Sequence, residues 1–137
     1  MIETSLELQK AIRARLVDTP AVVALVPPAR VFDRHSRPEQ FPCVVIGEAQ
    51  TILEPLTLTR SHVRAVSNIH VWTRDGNLAG TKEIAGAITR ALTPKPSIDG
   101  LHLVDWLITG VRYMRDPGEI GHAVITVEAL VSEKVLP

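Results

Sequence analysis

The sequence contains few of the residues from which small functional sites are usually built. Its 137 residues include one cysteine, Cys43, which excludes an internal disulfide and a cysteine-rich zinc site. The five aromatic residues are too few and too scattered to form a platform that stacks nucleic-acid bases. Basic and acidic residues balance at 15 each. This zero net charge argues against a polybasic binder of DNA or membranes and against a disordered acidic tail.

Long apolar runs and common catalytic motifs are also missing. No apolar run approaches the roughly 20 residues of a membrane span, and the first residues lack the basic and apolar regions of an export signal. We therefore expect a soluble chain without a leader. The patterns GxxxxGK, GxGxxG, HExxH and GxSxG do not occur. We accordingly expect no catalytic, cofactor-binding or metal site, and no enzyme activity.

The residues that are present predict one domain over residues 1–137, because the chain is 45% hydrophobic and has the length of a single domain. Two segments have the apolar spacing of amphipathic helices. The first contains Leu8, Ile12 and Leu16 and begins at a Thr4–Glu7 capping box. The second contains Ile84 and Ala87 and continues to residue 92. Prolines before and after these segments limit both helices.

Four segments have the composition and alternation of β-strands, and a short strand is predicted at residues 30–33. The four cover residues 43–49, 60–73, 101–115 and 122–132, with a bulge predicted at Gly110. Turns separate most of them, which favours antiparallel pairing. The order of elements predicts an α+β fold in which a mixed or antiparallel β-sheet carries two main helices packed on it.

The polar residues of these strands give little support for a catalytic site. His62 and His70 share a strand face but lie roughly 26 Å apart on a regular strand, so one subunit cannot use both as ligands of one metal. Cys43 begins an apolar strand and is interpreted as a small buried hydrophobe. Arginine outnumbers lysine, which fits either an interface or the base composition of a GC-rich genome.

Residues 50–60 give the clearest sign of a partner. Three leucines alternate with polar residues around a proline there, and we interpret the segment as a protruding hairpin or arm. Such an arm exposes apolar surface unless another chain covers it or it folds back onto its own domain, and both readings remain open. The candidate subunit or tube contacts are Leu53, Glu54, Leu56, Thr57, Leu58 and Arg60.

Seven segments in order resemble the small tail-completion, or tail terminator, proteins of long-tailed phages, prophages and gene transfer agents. They are LQKA at residues 8–11, PAVVALV at 20–26, VFD at 31–33, FPCVVIGE at 41–48, HVWTR at 70–74, KEIA at 82–85 and YMRDP at 113–117. Each segment is unspecific alone, whereas their order and spacing cover nearly the whole chain. Trp72, Tyr113 and Asp116 resemble fold or interface elements of that family.

The resemblance implies a structural virion protein that is assembled in the bacterial host cytoplasm and located at the head–tail junction. Its implied partners are further copies of itself in a ring, expected to be a homohexamer, together with the tail tube protein and the head–tail connector or stopper protein. The ring would cap the head-proximal end of the tube, and DNA would pass through its lumen without sequence-specific binding. The zero net charge agrees with a lumen that is not strongly basic.

Two alternatives remain at this point. One is another head–tail junction component, such as a stopper or adaptor, or a minor tail subunit. The other is a small hydrolase or ligand-binding domain that uses His62, His70 or Glu48.

Overall fold

The computed structural model describes residues 3–33, 40–54, 62–74 and 78–133. Within these ranges there are three α-helices and five strands, and the two long helices and the strands occur in the predicted order. The helices are α1 (Thr4–Val17), α2 (Pro20–Val23) and α3 (Ala79–Leu92). The strands are β1 (Val31–Phe32), β2 (Cys43–Glu54), β3 (His62–Thr73), β4 (Leu101–Asp116) and β5 (Ile120–Glu133).

The five strands form one mixed sheet in the order β1-β2-β3-β5-β4. The short β1 runs parallel to β2, while the β2–β3, β3–β5 and β5–β4 pairs are antiparallel. The chain therefore crosses over through α3 to the edge strand β4 and returns through β5 into the middle of the sheet. This arrangement confirms the predicted α+β class.

The helices pack on one face of the sheet. Leu8, Ile12 and Leu16 of α1 are buried because their spacing aligns them on one side of the helix. The central strands supply the opposing surface, where Ile69 and Ile125 are fully buried partners in the β3–β5 ladder. Each such side chain contributes about 1.5–3 kcal/mol of apolar transfer free energy to folding.

The buried Trp106 joins β4 to the end of α3. Its indole Nε1–H donates to the carbonyl of Leu92, with a nitrogen–oxygen distance of 2.7 Å. Arg15 of α1 donates to the carbonyls of Ala91 and Pro94, both at 3.0 Å. Carbonyls at the end of a helix lack partners within the helix. These two side chains satisfy three carbonyls at or just after the end of α3 and hold the helix layer against the edge of the sheet.

Two sequence predictions change in detail. Helix α1 is capped by Glu3 rather than Thr4, because the Glu3 carboxylate accepts the backbone N–H of Ser5 at 2.8 Å and Thr4 is buried. Strand β2 continues through Glu54 in register with β3, so the first residues of the predicted arm are regular strand. The predicted bulge is confirmed, since the β4–β5 register shifts between Ile108 and Gly110.

None of the helices in the described ranges is both long and apolar enough to cross a membrane.

Candidate interaction surfaces

The sheet face opposite the helices, here called the open face, carries polar and aromatic side chains. On β3, alternate residues point away from the helices because strand side chains alternate between faces. His70 and Trp72 lie on this side of β3, and Val124 and His122 of β5 are their respective ladder partners. The two imidazoles are therefore diagonal neighbours on adjacent strands, a distance that ring side chains span.

Five of these side chains form a connected group, here called the polar cluster: Glu48, His70, Trp72, Asp116 and His122. The Nε2 of His70 lies 3.0 Å from Oε2 of Glu48, and its Nδ1 lies 2.8 Å from Nε2 of His122. The carboxylate of Asp116 accepts the indole N–H of Trp72 at 3.3 Å and lies 3.1 Å from Nδ1 of His122. The cluster thus runs from one carboxylate through two imidazoles to another.

The rings of the polar cluster are stacked. The His70 and Trp72 rings are 5.0 Å apart at 10°, and the Trp72 and His122 rings are 4.6 Å apart at 17°. Gly47 makes room for this stack, because a Cβ built on it would lie 2.8 Å from Cδ2 of His70. Real Cβ atoms essentially never show so short a contact. The lack of a side chain at residue 47 thus permits His70 to reach Glu48.

The distances allow a continuous chain of hydrogen bonds through the two imidazoles. With its proton on Nε2, His70 donates to Glu48 and accepts from His122 Nε2–H through Nδ1. The Nδ1 of His122 is then unprotonated, and its position near Asp116 lacks hydrogen-bond geometry. Burial lowers the pKa of His122, and the neighbouring His70 and Arg112 add to this effect, while Asp116 opposes it. Burial has the largest effect on the pKa of His122, because it disfavours the charged imidazolium.

Glu48 stays ionised in this arrangement. Partial burial raises the pKa of its carboxyl, but hydrogen bonds from its own backbone N–H, from His70 and from Asn68 outweigh that effect and lower the pKa below its ordinary value. The side chain is 65% exposed, so solvent screens these interactions. The cluster is therefore a structural network across β2, β3, β5 and β4, with one charged end in water.

A groove of ≈ 480 Å³ lies over the polar cluster and is bordered by Arg112 of β4. Its two hydroxyl groups are engaged elsewhere: Thr126 donates to the side-chain oxygen of Asn68 at 2.8 Å, and Thr109 donates to the Thr126 carbonyl at 3.4 Å. No histidine in the described part of the groove activates either hydroxyl. Across the described residues, no group of three or more His, Cys, Asp or Glu residues is arranged to hold a metal ion.

Exposed apolar side chains are concentrated on two strands near the edges of the sheet. Of the six large hydrophobic side chains that are exposed in the described ranges, five lie on β2 and β4, and the sixth is Leu6 of α1. The five are Ile52 and Leu53 on β2, and Val104, Leu107 and Tyr113 on β4. Exposed apolar side chains grouped along two strand edges indicate surfaces that another protein covers.

The predicted contact residues lie at the end of β2. Leu53 is 72% exposed, the largest exposed fraction among these six large hydrophobic side chains. Glu54 is the last residue of β2 and pairs with His62. Leu56, Thr57, Leu58 and Arg60 lie outside the described residues, so their predicted role as subunit or tube contacts stays a prediction.

The remaining candidates occupy other places. Cys43 is fully buried, and burial raises the pKa of its thiol to about 11, although Arg30 lowers it slightly. A thiol in that state is a poor nucleophile. His62 pairs with Ser132 at the opposite end of β3 from the polar cluster, so only His70 and Glu48 of the three proposed site residues meet.

The same fold occurs in a solved virion structure. A chain of the "Virion of native gene transfer agent (GTA) particle" superposes with a TM-score of 0.77 at 20% identity, covering 96% of this chain and 99% of that one. No curated protein is similar enough in sequence to count as a relative. A family model described as "Tail completion protein gp17" matches residues 10–132. The chain belongs to the tail completion protein gp17 family.

Family membership decides between the broad classes of function. The tail completion family consists of structural virion proteins, so this protein is a tail structural component of a phage or phage-like particle and is located in the virion. The interpretation of His62, His70 and Glu48 as a hydrolase site is therefore wrong. Instead, His70 and Glu48 belong to the polar cluster, which connects β2, β3, β4 and β5.

Sequence reasoning did not connect Gly47, Asp116 or His122 with His70 and Glu48. One signal was available in the sequence. His122 alternates with the apolar residues of β5, which indicates that it lies on the polar face of its strand, as His70 does on β3. What was not visible was the pairing of β3 with β5, which places the two histidines side by side. Trp72 and Asp116, both noted in the family resemblance, are hydrogen-bonded partners. Tyr113 lies on the edge strand with Nζ of Lys82 5.5 Å from its ring centre.

Proposed function

We propose that this tail completion protein is a ring-forming tail terminator. In this proposal a homohexamer caps the head-proximal end of the tail tube, joins the tube to the head connector, and leaves a lumen through which DNA passes. The observation that carries the proposal is that a tail completion fold presents two unlike apolar edges, β2 and β4, on opposite sides of one sheet. The similarity in fold to a chain from a gene transfer agent virion supports it.

Two unlike edges suit a ring for a geometric reason. A symmetric dimer uses the same patch on both subunits, whereas a ring joins one patch of each subunit to a different patch of the next. The apolar residues at the β2 edge and at the β4 edge are separated by the width of the sheet. Each subunit therefore has a patch available for a neighbour on either side.

The remaining surfaces are assigned to the other partners. We propose that the segment around residues 53–60 contacts a neighbouring subunit or the tail tube protein, and that the other rim contacts the head connector or stopper protein. The exposed Leu53 supports the first assignment. The balance of 15 basic and 15 acidic residues supports a lumen that lets DNA slide without binding it strongly.

Deletion of the gene in a particle-producing strain tests the proposed role. Without a terminator, tail tubes continue to polymerise, so we expect overlong tails that are not joined to heads. A stopper or adaptor would give tails of normal length together with heads that lose DNA. Tails of normal length in the deletion strain would contradict the terminator role and favour that alternative.

The contribution of the β2 end is tested by the substitution Leu53→Ser. The side chain is largely exposed, so we expect a folded protein with an unchanged circular dichroism spectrum that no longer assembles. Leu6→Ser is the matched control, because Leu6 is also exposed but lies on α1. Normal assembly of the Leu53 variant would remove this residue from the interface.

A further inference from the structure

We propose that neighbouring copies of this chain join their sheets, so that the edge of β2 beyond Val45 in one copy forms antiparallel main-chain hydrogen bonds with β4 of the next copy. This inference rests on the proposed ring and specifies how the ring closes. The partner is a second copy of this chain, and the contact is an extension of the sheet.

The first step is that most of each edge has no strand partner in the described residues. On β4, side chains occupy the edge around residues 103–106, where Lys95 donates to the carbonyl of Leu103 at 3.1 Å and the Asp105 carboxylate accepts the N–H of Trp106 at 2.9 Å. In the described part of the chain, β4 is the last strand on one side of the sheet and pairs only with β5. On the other side, β1 pairs with β2 only at Val44 and Val45. Among the described residues, the rest of β2 has no strand partner on that side, so its outward backbone N–H and carbonyl groups form a template for another strand.

The second step is that the edges lack two common protective features. Natural sheets discourage edge pairing with proline, lysine, bulges or short edge strands. Residues 43–54 and 101–116 contain neither proline nor lysine. The strands are long, and both have bulges, which twist and bend a strand and therefore also help a sheet to curve toward a neighbour.

The third step is the position of the apolar groups. Ile52 and Leu53 lie on the free part of β2, and Val104, Leu107 and Tyr113 lie along β4. Cross-strand pairs of such side chains stabilise a sheet, whereas in water they are left exposed. The ladder registers place Ile52 and Leu53 at the same end of the sheet as Val104 and Leu107, so pairing the two edges would bring these four side chains together and remove their apolar surface from water. Tyr113 lies nearer the other end, level with Val44.

The fourth step is strand direction. The strands β2, β3, β5 and β4 alternate in direction, because each neighbouring pair is antiparallel. Since their number is even, β2 and β4 of one copy run in opposite directions. A copy rotated about an axis roughly along the strands keeps its strand directions. Its β2 then arrives antiparallel to β4 of its neighbour, and the alternation continues across the junction.

Disulfide cross-linking tests this geometry. One cysteine is placed at Gln50 or Ile52 on β2, and a second is scanned along Asp105, Leu107 and Arg112 on β4. Residues directly opposite in an antiparallel pair have Cβ atoms about 4.5–5.5 Å apart, close to what a disulfide requires. The native Cys43 is retained because it is buried.

We expect covalent oligomers on a non-reducing gel, up to the size of the ring. Thiols that face each other in a ring have an effective concentration in the millimolar range. At a micromolar protein concentration, the best cysteine pair should therefore form its disulfide on the order of 100-fold faster than the control. The control is Leu6→Cys on α1, whose native side chain is 43% exposed against 41% for Ile52. Mixing a β2 single variant with a β4 single variant should stop at dimers.

Antiparallel pairing makes one further requirement. When the cysteine on β2 moves from Ile52 to Gln50, the best partner on β4 must move toward the C-terminus by the same number of residues. Two results would overturn the edge pairing and leave the ring intact. One is a shift of the best partner toward the N-terminus. The other is a protein that forms rings, as measured by light scattering, although no cysteine pair links faster than the Leu6→Cys control. A protein that stays monomeric would overturn both the ring and this inference.

Discussion

Replacing Gly47 with alanine tests whether the polar cluster is held as the structure shows. The new Cβ would lie 2.8 Å from Cδ2 and 3.1 Å from Nε2 of His70. The ring has little freedom to move away, because Glu48 holds Nε2 at 3.0 Å and His122 holds Nδ1 at 2.8 Å. We therefore expect Gly47→Ala to strain or break these contacts.

The size of the effect follows from two opposing contributions. Overpacking a well-filled site costs about 1–3 kcal/mol. Replacing glycine with alanine recovers about 0.4–1 kcal/mol by restricting the unfolded chain. We expect a net loss of about 1–2 kcal/mol in the free energy of unfolding. For 137 residues this corresponds to about 3–7 °C in Tm, at about 2.1 cal/mol/K of unfolding entropy per residue.

The assay is a double-mutant cycle read by thermal or urea unfolding. In a His70→Ala background the obstructing ring is gone, so Gly47→Ala should be neutral or stabilise by about 0.5 kcal/mol, since glycine inside a strand is unfavourable. The reasoning would be refuted if Gly47→Ala destabilised both backgrounds equally. That result would locate its effect in the backbone and not in His70.

Three further predictions concern stability and reactivity. Trp106→Phe should lower the free energy of unfolding by about 1–3 kcal/mol, because the carbonyl of Leu92 loses a buried donor, and a urea-induced unfolding curve identical to the wild type would contradict this. In the folded protein the pKa of His122 lies below its ordinary value of 6.5, so the unfolded chain binds more protons near that pH. The free energy of unfolding should therefore decrease as the pH falls through this region, and His122→Gln should make the decrease smaller in a series of Tm values measured against pH. The buried thiol of Cys43 should react slowly with iodoacetamide at pH 8 in the folded protein and at the rate of an ordinary free thiol in denaturant. Equal rates in the two conditions would contradict the burial of this thiol.

Local patterns in the sequence carried most of the fold. The spacing of Leu8, Ile12 and Leu16 predicted α1, and the alternation along residues 62–73 predicted β3, because in both cases one side of the element is buried. The bulge near Gly110 was also predictable from an isolated glycine within a strand. These are effects of neighbouring residues, which a single sequence displays directly.

Features that depend on distant pairing were not predictable in the same way. The insertion of β5 between β3 and β4 decides that His70 meets His122, and nothing local to either residue indicates it. The irregular register between Ile46 and Ala49, which contains Gly47 and Glu48, is a further example. The end of β2 shows a difference in detail: Pro55 suggested an irregular excursion from residue 50, whereas pairing with β3 keeps the strand regular to Glu54.

The interface was only partly visible in the sequence. Leu53 was selected because it precedes a proline-interrupted segment, and it is indeed highly exposed. Val104 and Leu107 were interpreted as ordinary strand residues, and only the family resemblance drew attention to Tyr113. The reason is that exposure along β4 depends on its position at the edge of the sheet. Strand order, which the sequence does not display, therefore determines which apolar residues face water and are available to a neighbour.

Cryo-electron microscopy of intact particles measures the central proposal most directly. With an affinity tag at the C-terminus as a positional marker, the terminator role predicts a single ring of this protein at the head-proximal end of the tail tube, between the tube and the head connector. Density for the tag along the tube, at the distal tip, or within the head would contradict that role.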